Sequence, residues 1–434
     1  MNTMQVRVEQ GTLRGEVKNS CAIFRGVPYA KAPVADLRFK APQRPESWVG
    51  VRDATSFGNM CPQKEPGEGF YGREFHSDLN YPTPMMDEDC LYLNIWAPEK
   101  KISGGYPVAL WLHGGAFDHG YANEMEFDGE AIARRDVVVV TVNYRVGAFG
   151  FLALEELRRE DVHKSVGNYG ILDQIAALKW VRKNIDAFGG NPDKISLFGQ
   201  SAGAISVQTL ISSPLTRGMV VGAIMQSGGG YPNGLSKGKT VEEAYRVGNK
   251  VLELLGVSYA RELRNLPADK FVEILPKLYE EMGYLCFGPV VDQWVLEEDL
   301  NVCVEKNKIH PIPLIIGSNA NDIAIPEGGL AKDGPLYKGA IGLALARVEF
   351  TSQPTYVYYF SRKLPGEDGA GAFHSCELWY MFGTLERCWR PMERRDYILS
   401  RTMIDEWTNF FKTGNPGGGW QAYTEKGEFL RRYI

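Results

Sequence analysis

The sequence predicts an α/β fold in which a central, mostly parallel sheet is flanked by helices. Three observations carry that expectation. Continuous apolar runs at "YPVALWLHGG" (106–115), "VVVVTVNYR" (137–145) and "KISLFG" (194–199) read as strands buried on both faces. Segments of helical spacing separate these runs, the alternation that covers a parallel sheet from both sides. A serine sits where the third strand gives way to a helix, in "KISLFGQSAGAISVQTL" (194–210).

The elements follow in order. Short apolar runs broken by glycine and proline, "MQVRVEQG", "CAIFRGVPYA" and "LYLNIWAP", predict antiparallel strands and turns near the start. After strand 106–115, "FDGEAIARRD" is helical and 137–145 is again strand. "GILDQIAALKWVRKNIDAFGG" (170–190) predicts an amphipathic helix, with Ile171, Ile175, Leu178 and Val181 at three- to four-residue spacing. Strand 194–199, a helix and the strand "VGAIMQSG" (221–228) come next. Residues from about 231 to 310 are more charged and more helical, and read as a cap or regulatory insertion over the sheet. "PIPLIIGSN" (311–319) and "TYVYYFS" (355–361) return to strand, and "DYILSRTMIDEWTNFFKTG" is a helix ending at Gly414. No linker or repeat divides the chain, so residues 1–434 are expected to form one domain.

Composition narrows the function. With 434 residues, 44% of them hydrophobic and 23% charged, the chain can bury a full globular core. A net charge of −5 without a basic block argues against nucleic acid and anionic membranes as partners. The longest strongly apolar run, 137–142, is far shorter than the roughly 20 residues of a membrane span. The N-terminus "MNTMQVRVEQGTLRGEV" lacks a basic region followed by an apolar one, so a cytoplasmic location is expected. The cysteines at 21, 61, 90, 286, 303, 376 and 388 include no C-x-x-C spacing, so no metal site is expected. Their odd number leaves at least one unpaired thiol, and buried free thiols are the expectation.

The serine corner carries the chemistry. "GQSAG" fits G-x-S-x-G at Gly199, Ser201 and Gly203. A strand-to-helix turn this tight strains the serine backbone and needs tiny neighbours, and it lifts the hydroxyl off the sheet. The amide of Ala202 then opens a helix, where an unpaired N–H can bind an oxyanion. "WLHGGAFDHG" (111–120) supplies the amides of Gly115 and Ala116 from a loop of small residues. His113 abuts those glycines as a bracing residue, while His76, His119 and His163 lie in polar stretches and read as exposed. His310 begins a strand. His374, in the small-residue loop "GAGAFHSCELWYMFG" after strand 355–361, is the expected base. The acid is expected between Ser201 and His374, at Asp322 in "GSNANDIAI", with Glu327 in reserve and Asp292 as a turn-forming carboxylate. "NGLSKGKT" (233–240) ends like a phosphate-binding loop, but its first glycine is replaced by Asn233 and no buried strand enters it.

These residues resemble the type-B carboxylesterases, the family of cholinesterases and bacterial para-nitrobenzyl esterases. The likeness runs through nearly the whole chain: "FRGVPYAKAPVADLRFKAPQRPESWVGVRDATSFGNMCPQ", "EDCLYLNIWAP", "FGGNPDKISLFGQSAG", "FGPVVD" and "AFHSCELWYMFG". It implies an α/β-hydrolase fold with helical insertions over the active site. It implies Ser201 as nucleophile, His374 as base, Asp322 as acid, and Gly115, Ala116 and Ala202 as the oxyanion hole. Two departures stand out. Gln200 replaces the family's usual glutamate before the nucleophile, and Asp322 in "NDI" replaces a glutamate in a "DEG" setting. The resemblance also implies that Cys61 and Cys90 occupy positions bridged in secreted relatives. With no secretion signal visible, reduced thiols are expected here.

The leading expectation is a serine carboxylic-ester hydrolase acting through an acyl-enzyme on short-acyl or aryl esters, with a small-molecule ester as partner and no cofactor. Two alternatives share the fold: a narrower hydrolase acting on feruloyl, carbamate or amide substrates, and a non-catalytic binding module. The sequence leaves the oligomeric state open.

Overall fold

The computed structural model describes residues 2–65, 67, 69–78, 81–232, 235, 237–426 and 429–434. Its strands are β1 (Asn2–Val8), β2 (Gly11–Lys18), β3 (Cys21–Pro28), β4 (Val51–Asp53), β5 (Tyr92–Pro98), β6 (Tyr106–Leu112), β7 (Val138–Val142), β8 (Gly190–Gln200), β9 (Gly222–Gln226), β10 (Leu314–Asn319), β11 (Thr355–Phe360) and β12 (Leu430–Tyr433). They form one sheet in the order β1-β2-β3-β5-β7-β6-β8-β9-β10-β11-β12, with β4 beside β2. Pairing is antiparallel from β1 to β7 and parallel from β7 onward.

The apolar runs are continuous because each central strand feeds two cores. On β6, Val108, Leu110 and Leu112 pack into one core, while Ala109 and Trp111 pack into the other. On β7, Val138, Val140 and Val142 face the first and Val139 the second. Alternation along a strand therefore leaves no side that can be polar. Helices Tyr169–Asn184, Ala202–Ser212 and Val241–Leu255 line the first core, and Arg394–Thr413 lines the second. That last helix is closed by Gly414 at φ 74°, a left-handed cap suited to glycine.

The helix expected over 170–190 spans Tyr169–Asn184, and it is not amphipathic. Its residues are buried on nearly all sides, Asp173 and Gln174 included. Asp173 is neutralised by Arg145, whose Nε and Nη2 donate to it at 2.8 Å each. A buried, two-pronged ion pair of this kind locks segment 143–151 to the helix, and removing one partner would strand a charge. Strand β8 begins at Gly190, where the sequence suggested helix.

Between 241 and 305 the chain forms helices Val241–Leu255, Ala260–Leu263, Ala268–Glu273, Leu275–Met282 and Leu300–Glu305. In the phosphate-loop look-alike, residues 233, 234 and 236 lie outside the described residues. Thr240 caps the following helix: Oγ1 accepts from Glu243 N at 3.1 Å and Glu243 Oε2 accepts from Thr240 N at 2.8 Å. Asp292 closes a turn, its Oδ1 accepting from the amides of Trp294, Val295 and Leu296. All seven cysteines are buried and free. A hydrogen bond with Cys61, reinforced by burial, raises the Cys90 thiol well above its ordinary range. Among the described residues, no helix is long and apolar enough to cross a membrane.

Because β6 and β8 to β11 run parallel, their carboxyl ends lie along one edge of the sheet, the edge where open α/β sheets place ligands. The chain leaves that edge through 113–120 after β6, Ser201 after β8, Ser227 after β9, Asp322 after β10 and the segment carrying His374 after β11. Two glycines allow the β8 corner. A Cβ on Gly203 would lie 2.0 Å from Leu112 O, and one on Gly199 would lie 2.5 Å from Gly203 O. These are backbone atoms of β6 and of the helix Ala202–Ser212, and they cannot yield. Gly203→Ala is expected to lower the melting temperature clearly, by the cost of forcing a methyl into a full core, about 1–3 kcal/mol or more. A melting temperature unchanged from wild type would contradict this packing.

Candidate active site

Strand β8 ends at Gln200 and the helix Ala202–Ser212 begins two residues later. Ser201, between them, adopts φ 56° and ψ −123°. A positive φ on a non-glycine residue costs about 1–3 kcal/mol and persists only where the surroundings enforce it. Here Ser201 N donates to Gln226 O at 2.8 Å, and Ile205 N donates to Ser201 O at 3.1 Å. Gly228 closes the far side, since a Cβ there would lie 2.2 Å from Ser201 O. Ser201 itself is half-buried.

The loop after β6 lies against this corner, as a Cβ on Gly114 would come within 3.2 Å of Ser201 Cβ. Gly115, Ala116 and Phe117 have φ values of 100°, 56° and 62°. The turn is fastened by Asp118 N and His119 N, which donate to Gly115 O at 2.9 and 3.0 Å. Among the described residues, the Gly115 and Ala116 amides donate to no protein acceptor. His113 braces the loop as expected. It is fully buried, its Nδ1 meets Gly114 O at 2.8 Å, and its ring stacks on Tyr144 with centroids 4.2 Å apart. Burial first, opposed by that hydrogen bond, pushes the His113 imidazole down to about 3, so it stays neutral.

Of the six histidines, His374 is the one brought to Asp322. Its Nδ1 lies 2.5 Å from Asp322 Oδ1. Asp322 is anchored on every side: Oδ2 accepts from Ser227 Oγ at 2.7 Å and from Asn319 N at 2.9 Å, and Oδ1 accepts from Ile323 N at 3.1 Å. Its short side chain reaches because it stands three residues past the end of β10. Glu327 is exposed and takes no part. Burial opposes a charged His374, but the Asp322 charge, its hydrogen bond and then the Glu377 charge outweigh that, and His374 titrates above the ordinary imidazole range. On its other side His374 Nε2 lies 3.2 Å from Gln200 Nε2.

The other histidines are placed differently from their polar sequence context in two cases. His163 is exposed and stacks on Trp294, but His76 and His119 are half-buried. Burial and then His119 push His76 down to about 4. His310 is buried, with Nε2 3.1 Å from Ser213 O.

Three supporting residues escaped the sequence reading: Ser227, Asn319 and Glu377. Asn319 Nδ2 donates to Phe373 O at 2.8 Å and to Glu377 Oε2 at 2.5 Å, joining the end of β10 to the histidine segment. Gln226 Nε2 donates to Glu377 Oε1 at 3.4 Å. The only sequence signals were polar residues at the ends of buried strands and a lone glutamate in the apolar "HSCELWYMFG". Phe373 packs edge-on against Phe70 with ring centroids 4.8 Å apart, so the helix Phe70–Phe75 also holds the histidine segment.

The carboxylesterase family model matches residues 2–333 and 336–432. The chain belongs to the carboxylesterase family. A para-nitrobenzyl esterase of Bacillus subtilis (strain 168) is 33% identical over 97% of this chain and 93% of its own. Carboxylesterase 4A of Bos taurus is 30% identical over 97% of this chain and 90% of its own. Among solved structures, a PNB esterase superposes with a TM-score of 0.87 at 31% identity, covering 99% of this chain and 96% of the other. This carboxylesterase therefore has the α/β-hydrolase fold, and it is a serine ester hydrolase.

In this carboxylesterase, burial first and the Asp322 charge push the Glu377 carboxyl up to about 7, against the hydrogen bond from Asn319. The folded state thus prefers Glu377 protonated. That contribution to stability is complete below the ordinary value of 4.5 and is lost as pH rises through about 7. The melting temperature of Glu377→Gln relative to wild type should therefore improve between those two values. A difference independent of pH would contradict the assignment.

Proposed function

We propose that Ser201, His374 and Asp322 act as nucleophile, general base and orienting acid, and that the amides of Gly115, Ala116 and Ala202 form the oxyanion hole. The observation that carries this reading is the 2.5 Å His374–Asp322 contact, set beside the strained Ser201 at the carboxyl ends of β8, β10 and β11. His374 Nε2 takes the Ser201 proton as Oγ attacks the ester carbonyl. The oxyanion is held by the three amides, each worth about 2.7–4 kcal/mol to the transition state. The intermediate collapses, His374 protonates the departing alcohol, and water attacks the acyl-enzyme by the same route to release the acid.

Short-acyl and aryl esters are the proposed substrates. Phe70, Tyr71 and Phe373 form an aromatic cluster beside His374, and an apolar wall suits small uncharged ester groups. In the same reading, residues 231–310 act as a cap. Tyr284 Oη, from this segment, lies 3.4 Å from His119 Nδ1 on the oxyanion loop. Seven free thiols fit a reducing compartment, and we place the enzyme in the cytoplasm.

Hydrolysis of para-nitrophenyl acetate and butyrate tests this reading. Wild type should turn over both, and Ser201→Ala should fall to background. Asp322→Asn should lose about 10⁴-fold in kcat with its fold intact. Hydrolysis surviving in Ser201→Ala would overturn the proposal. Because His374 must be neutral to act, and titrates above the usual 6.5, the acid limb of kcat/KM should lie above that value. A limb at or below it would contradict the Asp322–His374 pairing.

A further inference from the structure

The lone pair that a general base uses is already engaged in this site. Asp322 Oδ1 accepts from His374 Nδ1 at 2.5 Å, so the proton of a neutral imidazole sits on Nδ1 and Nε2 carries the lone pair. The group facing Nε2 is the side-chain amide nitrogen of Gln200, at 3.2 Å. An amide nitrogen can only donate. Among the described residues no hydrogen bond joins Ser201 Oγ to His374.

Gln200 is well held for this role. It is the last residue of β8, buried, and its Oε1 lies where the loop after β6 passes, 2.9 Å from the position a Cβ on Gly114 would take. Its backbone is fixed by the parallel register with β9, opposite Gln226. Its side chain thus sits between the oxyanion loop and the imidazole, on the same atom that Ser201 must reach.

We infer that Gln200 is a positioning residue that caps His374 Nε2 in the resting enzyme, holding the imidazole neutral and in the base-competent tautomer until substrate brings Ser201 into its place. This rests on the reading of His374 as the base. The consequence is a matter of donors and acceptors. Two donors cannot share a bond. When Nε2 takes the serine proton, the Gln200 amide must turn its oxygen to the imidazolium or withdraw. Gln200 as seen here favours the neutral ring and competes with Ser201 for it. The charged or titratable groups facing His374 are Asp322, from the loop after β10, and Glu377, one turn further along its own segment. Tyr71, from the helix Phe70–Phe75, and Cys376 lie close to that pair of acids, and burial first keeps both uncharged at neutral pH.

Two substitutions separate the roles, each checked for folding by circular dichroism and thermal melting. Gln200→Glu puts a carboxylate against Nε2 and stabilises the imidazolium. The acid limb of kcat/KM for para-nitrophenyl acetate should move up by about one pH unit or more. Gln200→Met removes the competing donor at similar size. At a pH above the acid limb, inactivation by phenylmethanesulfonyl fluoride should quicken by roughly threefold to tenfold, the equilibrium worth of one neutral hydrogen bond. A purely structural Gln200 would leave the inactivation rate of Gln200→Met unchanged, and one turned away from Nε2 would leave the acid limb of Gln200→Glu unchanged. An acid limb of Gln200→Glu that superimposes on wild type, or a Gln200→Met enzyme inactivated no faster, overturns the inference. Should a variant fail to fold, nitrogen NMR of histidine-labelled wild type decides. The inference requires, at a pH above the acid limb, a proton on His374 Nδ1 and a bare Nε2, and a neutral ring with its proton on Nε2 overturns it. A His374→Ala enzyme that keeps full activity would instead defeat the assignment of the base, a distinct outcome.

Discussion

The close approach of backbone to backbone at the end of β8 is the constraint on which the site depends. Gly203 sits against the carbonyls of Leu112 and His113, Gly199 against Gly203, and Gly228 against Ser201. No side chain fits at these three contacts, and that closeness forces Ser201 into its positive φ. The same packing sets the loop after β6 beside the corner, where a Cβ on Gly114 would come within 3.2 Å of Ser201 Cβ. The strain is local and costs little against two extensive cores. The sheet is buried on both faces by Trp111, Phe198, Trp407 and their neighbours on one side and the valines and leucines of β6 and β7 on the other.

Electrostatics is the second layer. Three ionisable groups, Asp322 from the loop after β10 and His374 and Glu377 from the segment after β11, are nearly withdrawn from water at one place. Burial is the largest influence on His374 and Glu377 and disfavours the charged form of each. Asp322 has four hydrogen-bond partners: two backbone amides, a serine hydroxyl and His374. Hydrogen bonds to a charged group are worth about 1.5–3 kcal/mol each, enough to keep such a carboxylate in place. The Glu377 carboxyl accepts from the side-chain amides of Asn319 and Gln226, but burial prevails and raises it toward neutrality. His374 is held between an acid that favours its charged form and a neutral amide that does not.

Much of this was legible in the sequence, and for a physical reason. Strands that feed two cores read as unbroken apolar runs, and a tight strand–helix corner demands glycines at fixed offsets. That placed β6, β7, β8 and Ser201. Chain order and loop position after buried strands located Asp322 and His374. What stayed hidden depends on contacts between distant segments. Ser227 meets Asp322 only because β9 and β10 are neighbours, and the Asn319 side chain meets Phe373 and Glu377 only because the segment after β11 folds beside the end of β10. Glu377 looks like one polar residue in an apolar stretch. The helix Tyr169–Asn184 read as amphipathic from the spacing of Ile171, Ile175, Leu178 and Val181, yet Arg145, from 28 residues before Asp173, allows that carboxylate to be buried as well. His76 and His119 read as exposed for the same reason: polar neighbours in sequence do not report what folds over them.

The central claim is that Ser201 carries the acyl group between the two halves of the reaction. The most direct measurement is mass spectrometry of the enzyme quenched in acid during turnover of para-nitrophenyl butyrate, followed by peptide mapping. The account predicts a butyryl adduct on the peptide containing Ser201. Steady turnover with no adduct there, or with an adduct on a different residue, would contradict it.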